Sequence, residues 1–545
     1  MIYFTALLLS AFITVSLIPL MTRLAETFQL VDFPGPRKVH TRPVPRVGGL
    51  AAALGAFVPV ILWAASGSFM KAYLVGAGLI VAFGLIDDIK GLGHEIKFAG
   101  QFFAAVIVVL AGGIKVSSLG TLLPGSAQLP GWVAVPLTII SIIGVTNAIN
   151  LSDGLDGLAG GISFLVFCSI GYFGYLEGNR DVILLSLALA GAIFGFLRYN
   201  THPASLFMGD TGSQLLGFSA AVLAIKITQG VTPFSPVLPL VTLGFPVLDT
   251  LTVMVERIRG GRSPFSADKN HFHHRLIRLG LSHAEAVFAI YVIQAVMIIV
   301  AILFKYSDWI LMIYYMSFSV LIVSAFSVAD RMGFQFKRFP KIGNFVEDRL
   351  RKIRDNWIST ISFSMMRAFI PLMLIFSCLL PSRFPGYMTD IAICFGLSIL
   401  TAWIFAKKYL GFCLRSVLYV TVPSVLYLIQ QGRVGWIEAR VFTLYHLSFG
   451  VVAVLVLLML RFARKAKGFK ATTMDFLIIF IAILVPNLPD QSIQSYHLGL
   501  MAVEIIVFLF SYEVLISELK GRLNALAIST LMAMAMIAIR SAAGF

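Results

Sequence analysis

Charge is what this sequence has least of. Asp, Glu, Lys and Arg make up 12 % of its 545 residues. Ordinary soluble domains carry about a quarter, so a soluble globular protein is excluded. Cysteine is nearly absent too. Cys168, Cys378, Cys394 and Cys413 sit inside apolar runs, with no CxxC or Cys/His ligand spacing. That excludes a disulfide framework and a cysteine-based zinc site. Few charges combined with 58 % hydrophobic residues also exclude disorder over most of the chain. The first apolar run, Ile2 to Leu20, has no basic stretch before it and no good small-residue cleavage site. It reads as a retained helix rather than a signal peptide.

What is present is apolar sequence in runs of about 20 residues, the length that spans a bilayer. They recur from end to end, about eighteen in all, so the fold class is an all-α polytopic membrane protein. The net charge of +16 comes from basic residues clustered between these runs. That pattern is the positive-inside bias and not a nucleic-acid surface; no nucleic acid is expected as a partner. Arg23, Arg37, Lys38, Arg42 and Arg46 follow the first run and place that segment in the cytoplasm. Alternation then puts Asp87–Lys97, Asn150–Asp156, Asn200–Asp210 and Glu256–His283 on the same face. The segments Gly113–Gly131, Glu177–Asp181 and Gln229–Ser235, expected outside, carry few positive charges. The basic stretches Arg331–Arg354 and Arg461–Lys470 also fall inside, the first as an orientation determinant or as an interfacial helix on an anionic leaflet.

The chain divides into a membrane domain over 1–328, a basic cytoplasmic linker over 329–366, and a second membrane domain over 367–545. Nearly all patterned polar residues lie in the first. No internal repeat is visible.

Ionisable groups at membrane depth are costly and usually functional. Asp87-Asp88 closes one apolar run; adjacent carboxylates repel unless a cation neutralises them. Asn147-Ala148-Ile149-Asn150-Leu151-Ser152-Asp153-Gly154-Leu155-Asp156-Gly157 crowds two Asn and two Asp, with glycines that allow close backbone approach to a ligand. In the run from Asn200 to Ser213, Gly209-Asp210-Thr211-Gly212-Ser213 opens a helix, whose free N–H groups suit a phosphate. Asp210 could hold a metal there and Phe207 could stack on a base. Alternatively Asp210 or Thr211 is simply the helix cap. His271-Phe272-His273-His274 with flanking arginines suits phosphate or sugar hydroxyls. Zinc is the weaker reading, since such a site needs about four converging ligands. The proline-rich stretch from Asp32 to Gly49 is an extended basic loop; with Lys38 and Arg46 turned to the other clusters it would attract phosphates. Acidic metal ligands, phosphate-facing backbone and basic loops on one membrane face fit phosphoryl transfer from a soluble nucleotide to a lipid acceptor, resting on positioning and charge neutralisation.

Pro45-Arg46-Val47-Gly48-Gly49, Asp87-Asp88, Asn147–Gly161, Phe207–Ser213 and His271–His274, in this order, resemble the polyprenyl-phosphate N-acetylaminosugar-1-phosphate transferases over residues 1–328. The resemblance implies that undecaprenyl phosphate attacks the β-phosphorus of a UDP-N-acetylaminosugar, releasing UMP and starting a cell-envelope glycan. It implies Mg2+ as cofactor, with Mn2+ the alternative, and Asp210 and Asp88 as metal ligands. Asp87, Asp88 and Asp153 are then catalytic. Lys38, Arg46, Lys97, Asn147, Asn150, Asp156, Asn200, Phe207, His271, His273 and His274 bind substrate. It also implies a bacterial inner membrane, a cytoplasmic catalytic face and, as in many members, a homodimer. A lipid phosphate is largely ionised near pH 7, its second pKa being about 6. Direct attack, with an aspartate orienting the acceptor or taking its last proton, is therefore expected over an aspartyl-phosphate route.

A transporter or lipid flippase is the competing reading. It would gather ionisable groups near the midplane in broken helices and not at one face. The segment beyond 367 departs from the family. It fits an oligomerising bundle, a lipid-handling module, a partner-binding module or a second enzyme, and its acidic residues Glu504 and Glu513 are not assigned as a pair.

Overall fold

The computed structural model describes residues 2–27, 30–32, 43–263, 270–335, 357–432, 438–462, 498–519 and 522–544. Lys38, Arg37, Arg42 and most of both late basic stretches lie outside them. The described residues are overwhelmingly helical. Eleven helices among them are long and apolar enough to cross a membrane, and Gly48–Trp63, Ile361–Ser377 and Arg440–Val456 are shorter apolar helices. The protein is an all-α polytopic membrane protein. The chain divides into two compact units, Met1–Arg338 with Thr472–Met474, and Phe339–Ala471 with Asp475–Phe545.

In the first unit the helices are α1 (Ile2–Thr27), α2 (Gly48–Trp63), α3 (Ser68–Lys90), α4 (His94–Leu110), α5 (Gly131–Leu151), α6 (Leu158–Glu177), α7 (Arg180–Asn200), α8 (Gly209–Thr228), α9 (Leu238–Thr242), α10 (Gly244–Arg259), α11 (Phe272–Arg278), α12 (His283–Leu303) and α13 (Asp308–Met332). A two-stranded antiparallel ribbon, β1 (Val31–Asp32) and β2 (Val44–Pro45), pairs Val31 with Pro45 and Asp32 with Val44.

Helix α8 is the centre of this unit. It packs against α2, α3, α5 and α6, and its residues Thr211–Ile225 are all buried. Small residues make this approach possible, as is usual where lipid removes the hydrophobic drive between helices. A Cβ on Gly84 of α3 would lie 2.6 Å from Thr211 Cα, and one on Gly217 of α8 would lie 2.6 Å from Thr146 Cα. Buried polar groups answer one another inside the bundle. The Tyr73 and Ser219 hydroxyls lie 2.8 Å apart, and Gln101 Nε2 donates to Gln214 Oε1 at 3.1 Å.

The second unit contains α14 (Trp357–Ser377), α15 (Tyr387–Phe405), α16 (Leu410–Gln431), α17 (Ala439–Phe462), α18 (Leu498–Glu518) and α19 (Asn524–Ala542). Its core joins residues of all six. Two acidic residues of α18, Glu504 and Glu513, serve different partners. Glu513 pairs with Arg415 at 3.0 Å and accepts from the Tyr419 hydroxyl, whereas buried Glu504 pairs with His446 of α17. Removing one partner of a buried pair strands the other, at about 3–5 kcal/mol. Glu504→Ala is therefore expected to lower the unfolding temperature of detergent-solubilised protein clearly more than His446→Gln, which keeps a donor for Glu504. Equal shifts in the two variants would refute the pairing.

Candidate active site

The site forms where chain turns meet at one end of the first unit. Its floor is the N-terminus of α8. A helix start leaves N–H groups without intrahelical acceptors, and here Asp88, near the end of α3, supplies them. Asp88 Oδ1 accepts from Asp210 N at 2.8 Å, while Oδ2 accepts from Thr211 N at 3.0 Å and from Thr211 Oγ1 at 2.6 Å. Gly209 has φ of +71°, and a Cβ there would meet the Asp88 carboxylate at 2.6 Å; only glycine suits both the turn and the approach. Asp88, expected as catalytic group and metal ligand, thus spends both oxygens holding Asp210 in place.

One residue earlier, Asp87 is buried. Its Oδ1 accepts from Leu92 N at 2.6 Å and its Oδ2 meets Lys97 Nζ at 2.5 Å. Lys97 also donates to Asp210 Oδ2 at 2.6 Å. Two carboxylates from different helices therefore converge on one cationic nitrogen. Such hard oxygen donors fit Mg2+; Asp210 and Asp88 line the cavity, whereas Asp87 does not and spends its oxygens on Leu92 N and Lys97.

The backbone knits the second wall. Phe207 N donates to Pro45 O at 2.7 Å, Gly48 N to Phe207 O at 3.0 Å, and Gly49 N to Met208 O at 2.8 Å. This fixes the 45–49 and 207–213 motifs side by side. Arg46 pairs with Asp32 across the ribbon. Asn200, at the end of α7, accepts from Gly157 N at 2.9 Å and donates to Leu206 O at 2.9 Å. It ties the aspartate turn to the Phe207 loop, so much of its polar capacity is structural. Asn150 accepts from Ser213 Oγ at 2.7 Å.

These elements enclose a cavity of about 1010 Å³. Asp88, Asp153, Asp156 and Asp210 line it, together with Arg46, Asn150, Asn200, Phe207 and His274. Asp153 lies between the helices. Burial pushes its carboxyl up to about 7, helped by the negative charges of Asp210, Asp88 and Asp156 and opposed by Arg46. The folded protein then keeps this proton up to about pH 7, while an unfolded chain releases it near 3.8. The folded state binds more protons across that window, so stability falls as pH rises through it and levels off above. Protein stripped of divalent ions is expected to melt several degrees lower at about pH 8 than at about pH 5. Asp153→Asn should flatten that slope; equal slopes in wild type and variant would remove the assignment.

Four expected substrate groups lie off the cavity wall: Lys97, which sits behind it on Asp87 and Asp210, and Asn147, His271 and His273. Asn147 is not on the cavity wall: its Nδ2 donates to Gln101 Oε1 at 2.6 Å and Ile143 O at 2.8 Å. His271 is buried, with Nδ1 3.1 Å from Asp249 Oδ2, and Asp249 Oδ1 accepts from Phe272 N at 2.8 Å. His273 is buried against Gly154. Burial, with His274, His271 and His283 nearby, pulls its pKa down to about 3, so it is neutral and cannot serve as a cation for phosphate. The reason is local: α11 starts at Phe272, so these histidines radiate around a helix turn and only His274 reaches the cavity. Lys38 lies outside the described residues.

The structure also adds residues that sequence patterning passed over. His202 and His283 line the cavity; the first stood inside the 200–213 run, the second at the edge of a loop. Asp249, in the middle of α10, organises the histidine segment and carried no local signal.

Comparison with known sequences follows the same outline. Residues 70–228 match the family described as Glycosyl transferase family 4. The chain is similar, at 40 % identity over 306 residues, to a Bacillus subtilis (strain 168) protein named probable undecaprenyl-phosphate N-acetylglucosaminyl 1-phosphate transferase, covering 55 % of this chain and 84 % of that one. It is 38 % identical to the decaprenyl-phosphate N-acetylglucosaminephosphotransferase of Mycolicibacterium smegmatis, over 49 % of this chain and 73 % of that one. It is 31 % identical to the undecaprenyl-phosphate alpha-N-acetylglucosaminyl 1-phosphate transferase of Escherichia coli (strain K12), over 64 % and 95 % respectively.

Proposed function

Because this chain belongs to the polyprenyl-phosphate N-acetylglucosamine-1-phosphate transferase family, we propose that it takes its aminosugar 1-phosphate from a UDP-N-acetylaminosugar and releases UMP. The acceptor is a polyprenyl phosphate. An acceptor phosphate oxygen attacks the β-phosphorus, the bond from that phosphorus to the bridging oxygen breaks, and UMP carries the bridging oxygen away. The observation that carries this reading is the single cavity shared by Asp153, Asp210, Arg46 and Phe207, with Asp87 and Lys97 behind Asp210.

Each residue has work that its surroundings support. Arg46 draws the diphosphate and Phe207 offers a ring face to the base. Asp153, whose carboxyl sits near neutrality, accepts the acceptor's last proton. Asp88 positions Asp210 through the α8 N-terminus. Asp87 orients Lys97, and Lys97 and Asp210 present alternating charge to the phosphates. Asp210, with Asp88 beside it, would hold Mg2+, or Mn2+ in its place, which when bound neutralises phosphate charge. Loop charge supports a cytoplasmic site in a bacterial inner membrane, about eighteen spans in the full chain, and feeding of a cell-envelope glycan such as an O-antigen or wall polymer. We carry the homodimer over from the family resemblance.

The test is purified full-length protein in detergent with Mg2+, undecaprenyl phosphate and each labelled UDP-N-acetylhexosamine in turn. UMP release, with a lipid diphospho-sugar of the matching mass, is expected. Folded protein that yields UMP from none of them overturns the donor reading; vesicle flux without product would then favour the transporter.

A further inference from the structure

We propose that Asp156, His202 and His283 form a second cation site, built for a divalent transition ion of the Zn2+ kind and distinct from the Asp87–Lys97–Asp210 cluster. The three side chains come from separate segments: the turn before α6, the loop after α7 and the first residue of α12. Their ligating atoms all lie within 4.8 Å of one another. His202 Nδ1 is 2.8 Å from Asp156 Oδ2, and the His202 and His283 rings stack with centroids 4.1 Å apart and planes 19° apart.

The donor set decides the class of ion. Two imidazoles and one carboxylate are softer than the all-oxygen environment that Mg2+ prefers. They match three-ligand zinc sites that leave one position open, and here that position faces the cavity the three residues line. Around a tetrahedral ion, ligand atoms sit about 3.4 Å apart, so the cluster must contract and the two stacked rings must turn toward a common point as the ion binds.

Two further observations point to a missing partner. His283 Nε2 is fully buried with no hydrogen-bond partner, and an unsatisfied buried nitrogen beside a carboxylate is costly; an ion there satisfies it. The frame is also set in advance, as metal sites require of their outer groups. Ala204 N donates to Asp156 Oδ2 at 3.1 Å and fixes the carboxylate. Ser282 N donates to Glu285 Oε2 at 2.6 Å, and Glu285 N to Ser282 Oγ at 3.4 Å. This capping box fixes the backbone that carries His283.

Because Asp156 lines the donor cavity, an ion at this site would compete with or help hold the donor. That consequence rests on the proposed function, but the site itself does not, so the test uses no substrate. Full-length protein in excess Mg2+ is titrated with Co2+, followed by its visible absorption, then with Zn2+ and with further Mg2+. With excess Mg2+ filling the aspartate site, one Co2+ with the intense absorption of a four-coordinate site is expected, bleached by Zn2+ and indifferent to further Mg2+. His202→Gln, at a residue whose side chain is 42 % exposed, should weaken Co2+ binding at least about tenfold, as loss of a ligand or its support does. Asp87→Asn and His274→Gln should leave it intact. Unchanged Co2+ binding in His202→Gln, or displacement by Mg2+ at concentrations similar to Zn2+, overturns the proposal. Either result stands whether or not UMP is released in the transfer assay.

Discussion

Asp87→Asn is expected to slow sugar-phosphate transfer by about two to three orders of magnitude, the usual loss when one preorganised electrostatic group is removed, while the protein still binds its UDP-sugar. The carboxamide keeps the shape of the side chain and an oxygen to accept from Leu92 N. What it removes is half of the negative charge that holds Lys97 between Asp87 and Asp210. Asp87 is not on the cavity wall, whereas the residues proposed to meet the base and diphosphate are. The loss should therefore appear in kcat and not in donor affinity, the signature of an interaction that matters only in the transition state. Turnover measured as UMP release, set against donor binding by calorimetry on the same folded sample, separates the two. Wild-type turnover in the variant refutes the assignment.

A second large effect should follow from one methyl group with no chemistry of its own. In Gly84→Ala the new Cβ would meet Thr211 Cα at 2.6 Å and Thr211 N at 2.8 Å. Both are backbone atoms and cannot rotate aside, so α3 and α8 must part. Overpacking of this kind destabilises by about 1–3 kcal/mol. It also drags Asp87 and Asp88 away from Asp210, and a shift of about 1 Å at a reacting centre costs about a hundredfold in rate. Gly78→Ala on the same helix is the control. Nothing lies within 4 Å of a Cβ at that position, and alanine favours the helix by roughly 0.5–1 kcal/mol. Melting temperature and transfer rate should fall together in Gly84→Ala and hold in Gly78→Ala. If the two variants behave alike, close packing of α3 on α8 does not set the site.

The sequence carried the membrane class and the site's address. Runs without charge cannot stay in water, so composition alone settled the class. Motifs such as Asp87-Asp88 and Gly209–Ser213 are local, because a helix end and its glycine are neighbours in the chain. Loop charge aligned the acidic clusters on one face, and the structure gathers Asp88, Asp153, Asp156 and Asp210 into one cavity. What patterning could not reach was how each side chain spends its hydrogen bonds.

Asp87 and Asp88 look alike in sequence, yet one holds Lys97 and the other caps α8. Three histidines in four residues look like one binding unit, yet Asp249, 22 residues from His271, pins the first and burial neutralises the second. Glu504 and Glu513 likewise found partners, His446 and Arg415, 58 and 98 residues away. Composition and short spacing therefore determined the solvent this chain lives in and where its polar chemistry collects. Only the folded chain decided which groups face the cavity and which are consumed as scaffolding, because that depends on distances between segments far apart along the polymer and on the desolvation each one meets there.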